Sequence, residues 1–186
     1  PTPVPTAAKA RYATALHGLP KRGASKPKIE ILMCGDFDCP YSKRSTATLE
    51  QLLKDHKSDL AVYFRHHPLP MHQHARAAHR AAVAAENQGK FWDMFDLLYA
   101  DPKKRSDAEL EDMAKQLGLD IERFRKDVAA QKTEERIDEQ LQFCERDLDV
   151  RGTPTFFING RPLTGAIPIA NFEAIIQEEL AGKGPP

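Results

Sequence analysis

Long apolar runs are missing from this sequence. No stretch approaches the roughly 20 apolar residues that a membrane-spanning helix needs. Net charge is missing too. The 27 Lys and Arg balance 27 Asp and Glu, so no global field gathers nucleic acid or membrane lipid. Cysteine is scarce and odd in number: Cys34, Cys39 and Cys144 argue against a closed disulfide framework. Residues 1–28 contain no acid beside Lys9, Arg11, Lys21, Arg22, Lys26 and Lys28. This basic arm reads as a solvated segment, although it could touch an acidic partner. The chain opens at Pro1 with neither Met nor a signal-type apolar run, and so reads as a processed or excised form.

What is present suits a globular protein with a real core. Hydrophobic residues make up 41% and charged residues 29% of the 186, enough for one domain or one domain carrying an insertion without disulfide staples. Pro1, Pro3 and Pro5 mark residues 1–10 as linker or frayed terminus. Arg11 to Leu16 alternate as a short edge strand, and Gly18 to Lys28 form a Pro- and Gly-rich connection. Ile29 to Cys34 read as a central buried strand. A helix is expected over Tyr41 to Asp55 and a strand over Leu60 to Arg65, a right-handed crossover between parallel neighbours.

The period then changes. Helices are expected at about His74–Asn87, Phe91–Tyr99, Asp107–Gln116, Ile121–Ala130 and Thr133–Asp147. Ser106 with Glu109 makes a capping box, Gly118 suits a C-terminal cap and Asp120 an N-cap. Thr155–Ile158 and Arg161–Thr164 form a hairpin about Asn159-Gly160, and Ile169–Leu180 a last helix. This order is that of a thioredoxin-like α/β fold with an inserted all-helical domain. The divisions are an arm at 1–28 with its edge strand, a thioredoxin-like domain at 29–67 and 148–181, and the insertion at 68–147.

The chemistry centres on Cys39-Pro40-Tyr41-Ser42, between the buried strand and the first helix. Backbone N–H groups and the helix dipole there favour a thiolate. Four motifs occur in register: Phe37-Asp38-Cys39-Pro40-Tyr41-Ser42-Lys43-Arg44, Phe64-Arg65-His66-His67-Pro68-Leu69, Gly89-Lys90-Phe91-Trp92, and Arg151-Gly152-Thr153-Pro154-Thr155-Phe156-Phe157-Ile158-Asn159-Gly160. Together they resemble the DsbA-like family of thioredoxin-fold thiol–disulfide oxidoreductases over about residues 28–181.

The resemblance implies that Cys39 is the nucleophile, that Pro154 is a cis-proline beside it, and that the Thr153 backbone pairs with a substrate strand. It implies protein or peptide thiols and disulfides as partners, no cofactor beyond glutathione as an external thiol, and a periplasmic or otherwise exported location. Ser42 stands where the family has a second cysteine, and Met33 where it has a buried acid that relays protons for that thiol. The paired changes imply a native monothiol site. Its Ser42 hydroxyl can donate to the Cys39 thiolate but cannot release a mixed disulfide, so isomerase- or reductase-like exchange is expected.

Cys34 and Cys144 could resolve that disulfide, but both read as inert, unpaired core cysteines. His66, His67, His72, His74 and His79 read as exposed residues of a turn, with no metal set expected. Phe91, Trp92, Phe95, Leu98 and Tyr99 read as helix core, Met71 as a weaker groove candidate, and Lys103-Lys104-Arg105 as a solvated loop. Two other functions fit the sequence. One is a redox-inactive module that binds peptides or a partner. The other is a kappa-type glutathione-dependent transferase or isomerase, which places serine where Cys39 stands.

Overall fold

A computed structural model describes residues 11–183; the expected linker at 1–10 lies outside them. The sheet has five strands: β1 (Lys21–Gly23), β2 (Ile29–Gly35), β3 (Leu60–His66), β4 (Thr155–Ile158) and β5 (Arg161–Thr164). Their spatial order is β1-β3-β2-β4-β5. Strand β2 runs parallel to β3 and antiparallel to β4, so it is paired on both edges. That central place explains its nearly unbroken apolar sequence. The helices are α1 (Pro40–Asp55), α2 (Ala75–Glu86), α3 (Phe91–Ala100), α4 (Asp107–Gln116), α5 (Ile121–Ala129), α6 (Gln131–Arg146) and α7 (Ile169–Leu180). The fold is thioredoxin-like, with α2 to α6 between β3 and β4. Among the described residues, no helix is long and apolar enough to cross a membrane.

Strand alternation sends β2 side chains to two different cores. Ile29, Ile31 and Met33 join Leu49 and Leu52 of α1, Phe172 and Ile176 of α7, and the aromatics of α3. The expected core role of Phe91, Phe95, Leu98 and Tyr99 is met, with Trp92 partly buried against them. Leu32 and Cys34 face the other way, into a smaller cluster with Tyr63, Phe157, Cys144, Leu148 and Val150. In the helical block, local rules set several boundaries. The Ser106 hydroxyl and Glu109 form the full capping box of α4, Gly118 has φ +70°, and the Asp120 carboxylate caps α5 by accepting from Arg123 N–H.

Two expectations are overturned here. Arg11–Leu16 is not a strand; the edge strand is β1, antiparallel to β3. The arm lies over a sheet face instead. Tyr12, Leu16 and Leu19 pack on the smaller cluster, Tyr12 N–H donates to the Gly160 carbonyl at 2.8 Å, and the φ of 45° at Ala15 breaks the extended run. Arg65 holds this cover by donating to the carbonyls of Thr14 and Ala15.

Nor are Cys34 and Cys144 unpaired. They form a disulfide between β2 and α6, both fully buried, with Cα atoms 6.6 Å apart. The Cys144 face of α6 packs on the side of β2 that carries Cys34, which places two nonadjacent apolar positions together. Among the described residues this leaves Cys39 as the free thiol.

Candidate active site

Cys39 is the N-cap of α1, with φ −75° and ψ 120°, and Pro40 occupies the first turn, where its missing N–H costs nothing. Its backbone N–H donates to the Asp36 carbonyl at 3.2 Å, and its own carbonyl accepts from Lys43 N–H at 3.0 Å. The residue retains 3% of its surface, while Pro40 and Tyr41 beside it are exposed. The Cys39 thiol donates to the Thr153 carbonyl at 3.3 Å, and the Thr153–Pro154 peptide is cis. Residues 114 apart in sequence therefore meet at one sulfur, the meeting that the two motifs suggested.

Ser42 faces inward rather than toward solvent. It is fully buried, and its Oγ accepts from Asp36 N–H at 3.4 Å. The Tyr99 hydroxyl donates to the Asp36 carbonyl at 3.1 Å. Burial pushes the Tyr99 phenol well above its usual range, the Asp36 charge adding to this and a hydrogen bond from Ser42 opposing it. The Ser42 oxygen thus serves the turn that precedes Cys39 as a hydrogen-bond acceptor.

Met33 is fully buried in the sheet core, yet the site does hold a buried acid. Asp36, three residues before Cys39, is fully buried. Its Oδ2 accepts from Leu69 N–H at 2.8 Å and lies 2.7 Å from His72 Nδ1; its Oδ1 accepts from Asp38 N–H at 2.9 Å. Burial alone would raise this carboxyl, but the neighbouring His79, the Leu69 N–H and His72 outweigh it and bring the carboxyl down to about 2. The sequence reading missed this role. The one signal was the acidic bend at Gly35-Asp36-Phe37-Asp38.

Three of the five histidines expected at the surface are buried: His66, His67 and His79. The rings of His66 and His79 meet at 2.7 Å between Nδ1 atoms, and burial lowers the pKa of all three. His66 ends β3, His67 follows it and His79 of α2 meets it, so the C-terminal end of β3 lies under α2 rather than in an open turn. No group of three or more His, Cys, Asp or Glu side chains among the described residues converges as a metal set.

Arg105 is a further correction. It belongs to a basic run expected to be solvated, but it is 4% exposed and its Nε donates to Asp38 Oδ1 at 2.9 Å. The flanking Lys103 and Lys104 are exposed. Met71 is open to solvent at 72% exposure, and Tyr41 at 54%.

With this geometry in hand, the likenesses to known proteins fall into one pattern. A family model described as the DSBA-like thioredoxin domain matches residues 30–177. BdbD from Bacillus subtilis, in its oxidised form, superposes with a TM-score of 0.80 at 19% identity, covering 95% of this chain and 99% of that one. A periplasmic thioredoxin-like protein from Salmonella enterica serovar Typhimurium gives 0.75 at 26% identity, covering 90% and 94%. The Na(+)/H(+) antiporter NhaA 1 of Salinispora arenicola is 36% identical over 162 residues, 87% of this chain and 24% of the antiporter. The chain spans about a quarter of the length of the curated relatives it matches. On the extent of the family match, and with Cys39 set against Thr153 and Pro154, the chain belongs to the DSBA-like thioredoxin domain family.

Proposed function

We propose that this chain carries out thiol–disulfide exchange on protein or peptide substrates through Cys39 alone. The observation that carries the reading is the free Cys39 sulfur, 3.3 Å from the Thr153 carbonyl at the start of α1. The Cys39 thiolate attacks one sulfur of a substrate disulfide. A Cys39–substrate S–S bond forms, the substrate S–S bond breaks, and the departing thiolate takes a proton from water. Ser42 has no sulfur with which to reverse the step, so release falls to the substrate's second thiol or to glutathione. The first outcome is isomerase-like and the second reductase-like. Pro40 and Tyr41 flank the nucleophile, and Thr153 with Pro154 receives the extended substrate segment. An exported or periplasmic setting suits this chemistry, in keeping with the periplasmic relative from Salmonella. The NhaA likeness points to action as one part of a longer membrane-associated protein.

The test is iodoacetamide alkylation of the native protein across pH, with mass spectrometry of its mixed disulfide with a small peptide disulfide. Cys39 is expected to alkylate at least about tenfold faster than free cysteine at neutral pH and to form the mixed disulfide. Insulin reduction is expected to be weak and to rise with Ser42→Cys. A rate no faster than free cysteine removes the reading. The exposed Tyr41 and Met71 favour a second reading, in which this face holds peptide without turnover. Peptide binding that Cys39→Ala leaves untouched, with no mixed disulfide in the native chain, would decide for it.

A further inference from the structure

The three residues between β2 and Cys39 are each gripped by the helical block. Asp36 is held by the 69–72 turn. The Phe37 ring stacks within an aromatic group, 5.1 Å from Phe64 and from Tyr99 and 4.7 Å from His79 between centroids. The remaining groups, the Phe37 carbonyl and the Asp38 carboxylate, are held by Arg105.

All five N–H donors of that guanidinium are engaged. Nη1 donates to the carbonyls of Asp101 and Lys104 at 3.0 and 2.9 Å. Nη2 donates to Leu98 at 2.8 Å and to Phe37 at 3.1 Å, and Nε to Asp38 Oδ1 at 2.9 Å. Three contacts thus fix the fork to its own loop and the last turn of α3, and two hold the turn that delivers Cys39. The backbone beneath is fixed as well, since Arg105 N–H donates to Glu109 Oε2 of the α4 capping box at 3.1 Å. Asp38 has a second anchor, its Oδ2 accepting from His74 N–H at 3.2 Å.

We infer that Arg105 is a positioning residue for the exchange reaction, holding the Phe37–Asp38 turn so that the Cys39 sulfur meets a substrate disulfide in line. This rests on the reading of Cys39 as the exchanging thiol. The rationale is geometric. Attack on a disulfide needs the incoming sulfur aligned with the S–S bond, and small displacements of a reacting atom cost rate steeply. Alkylation by a small reagent does not ask for that alignment. Lysine cannot replace the fork, because an ammonium on a single stem cannot reach five acceptors spread around a plane.

The experiment measures two rates on the full chain: mixed-disulfide formation with a cystine-containing peptide, and alkylation by iodoacetamide. Arg105→Ala and Arg105→Lys are each expected to slow exchange roughly ten- to a hundredfold, with alkylation changed by less than about threefold. Asp38→Ala keeps the guanidinium and is expected to move exchange the same way by a smaller factor, which preserves the test should an Arg105 variant fold poorly. A purely structural role would lower the melting temperature and leave the ratio of the two rates unchanged. Exchange within twofold of native in the folded variants overturns the inference. A native chain that forms no mixed disulfide overturns the exchange reading and this inference with it, and that failure shows before any variant is made.

Discussion

Reducing the Cys34–Cys144 bridge, or replacing Cys144 with alanine, is expected to lower the free energy of unfolding by about 5 kcal/mol. The magnitude follows from the 110 residues that separate the two cysteines, because a cross-link over a long loop removes more freedom from the unfolded chain than one over a short loop. Domains of ordinary stability have roughly 5–15 kcal/mol in total, so the reduced chain should stand near the edge of unfolding. The bond also joins β2, which leads directly into the active turn, to α6, the last helix before β4. Urea unfolding midpoints with and without reductant check the energy. Thiol titration of the denatured, unreduced chain checks the bond and should give one equivalent, from Cys39. Three equivalents, or a midpoint indifferent to reductant, would sink the prediction. If the midpoint does fall with reductant, exchange assays run in strong reductant measure a loosened fold.

Asp36 is expected to give the second large effect. Asp36→Ala leaves the N–H groups of Leu69 and Asp38 and the ring of His72 without their buried acceptor, and should cost about 3–5 kcal/mol at neutral pH. Asp36→Asn keeps one acceptor oxygen and should cost less, but it removes a pH dependence. The native carboxyl lies at about 2 against an ordinary 3.8. A folded-state value below the unfolded one contributes stability that is fully present above the unfolded value and is lost as pH falls through the folded value. The loss therefore runs from about pH 4 down to pH 2 and amounts to about 2 kcal/mol. Urea midpoints measured from pH 6 to pH 2 should fall more steeply for the native chain than for Asp36→Asn over that window. Parallel curves would show that the acid limb belongs to other carboxyls.

The bridge and Asp36 mark what the sequence could not convey, and other elements what it could. Helix α4 was legible because its signals are local: Ser106 and Glu109 at one end, Gly118 past the other. The hairpin at Asn159-Gly160 and the in-register motifs that bring Thr153 to Cys39 were legible for the same kind of reason. The Cys34–Cys144 bond was not, because an odd cysteine count says nothing about which pair shares a face across 110 residues. Arg105 was not, because a basic run looks solvated until acceptors from other elements surround one of its members. Strand β1 holds Lys21, Arg22 and Gly23, and no apolar pattern could announce it. The histidines misled for a related reason. Next to Pro68 and Pro70 they suggested an open turn, whereas α2 closes over them.

The N-cap position of α1 has a consequence for how this protein can change. Its side chain makes no capping hydrogen bond among the described residues, and the first turn of α1 carries no acid. Serine, aspartate or asparagine at position 39 would cap the helix better, by about 1 kcal/mol. The chain thus forgoes a small, easily won gain at the one position where the gain would remove the sulfur. Random substitution with selection for folding alone should drift toward an inert, better-capped helix. Persistence of cysteine there requires selection on reactivity, the ordinary conflict between a stable scaffold and a working site.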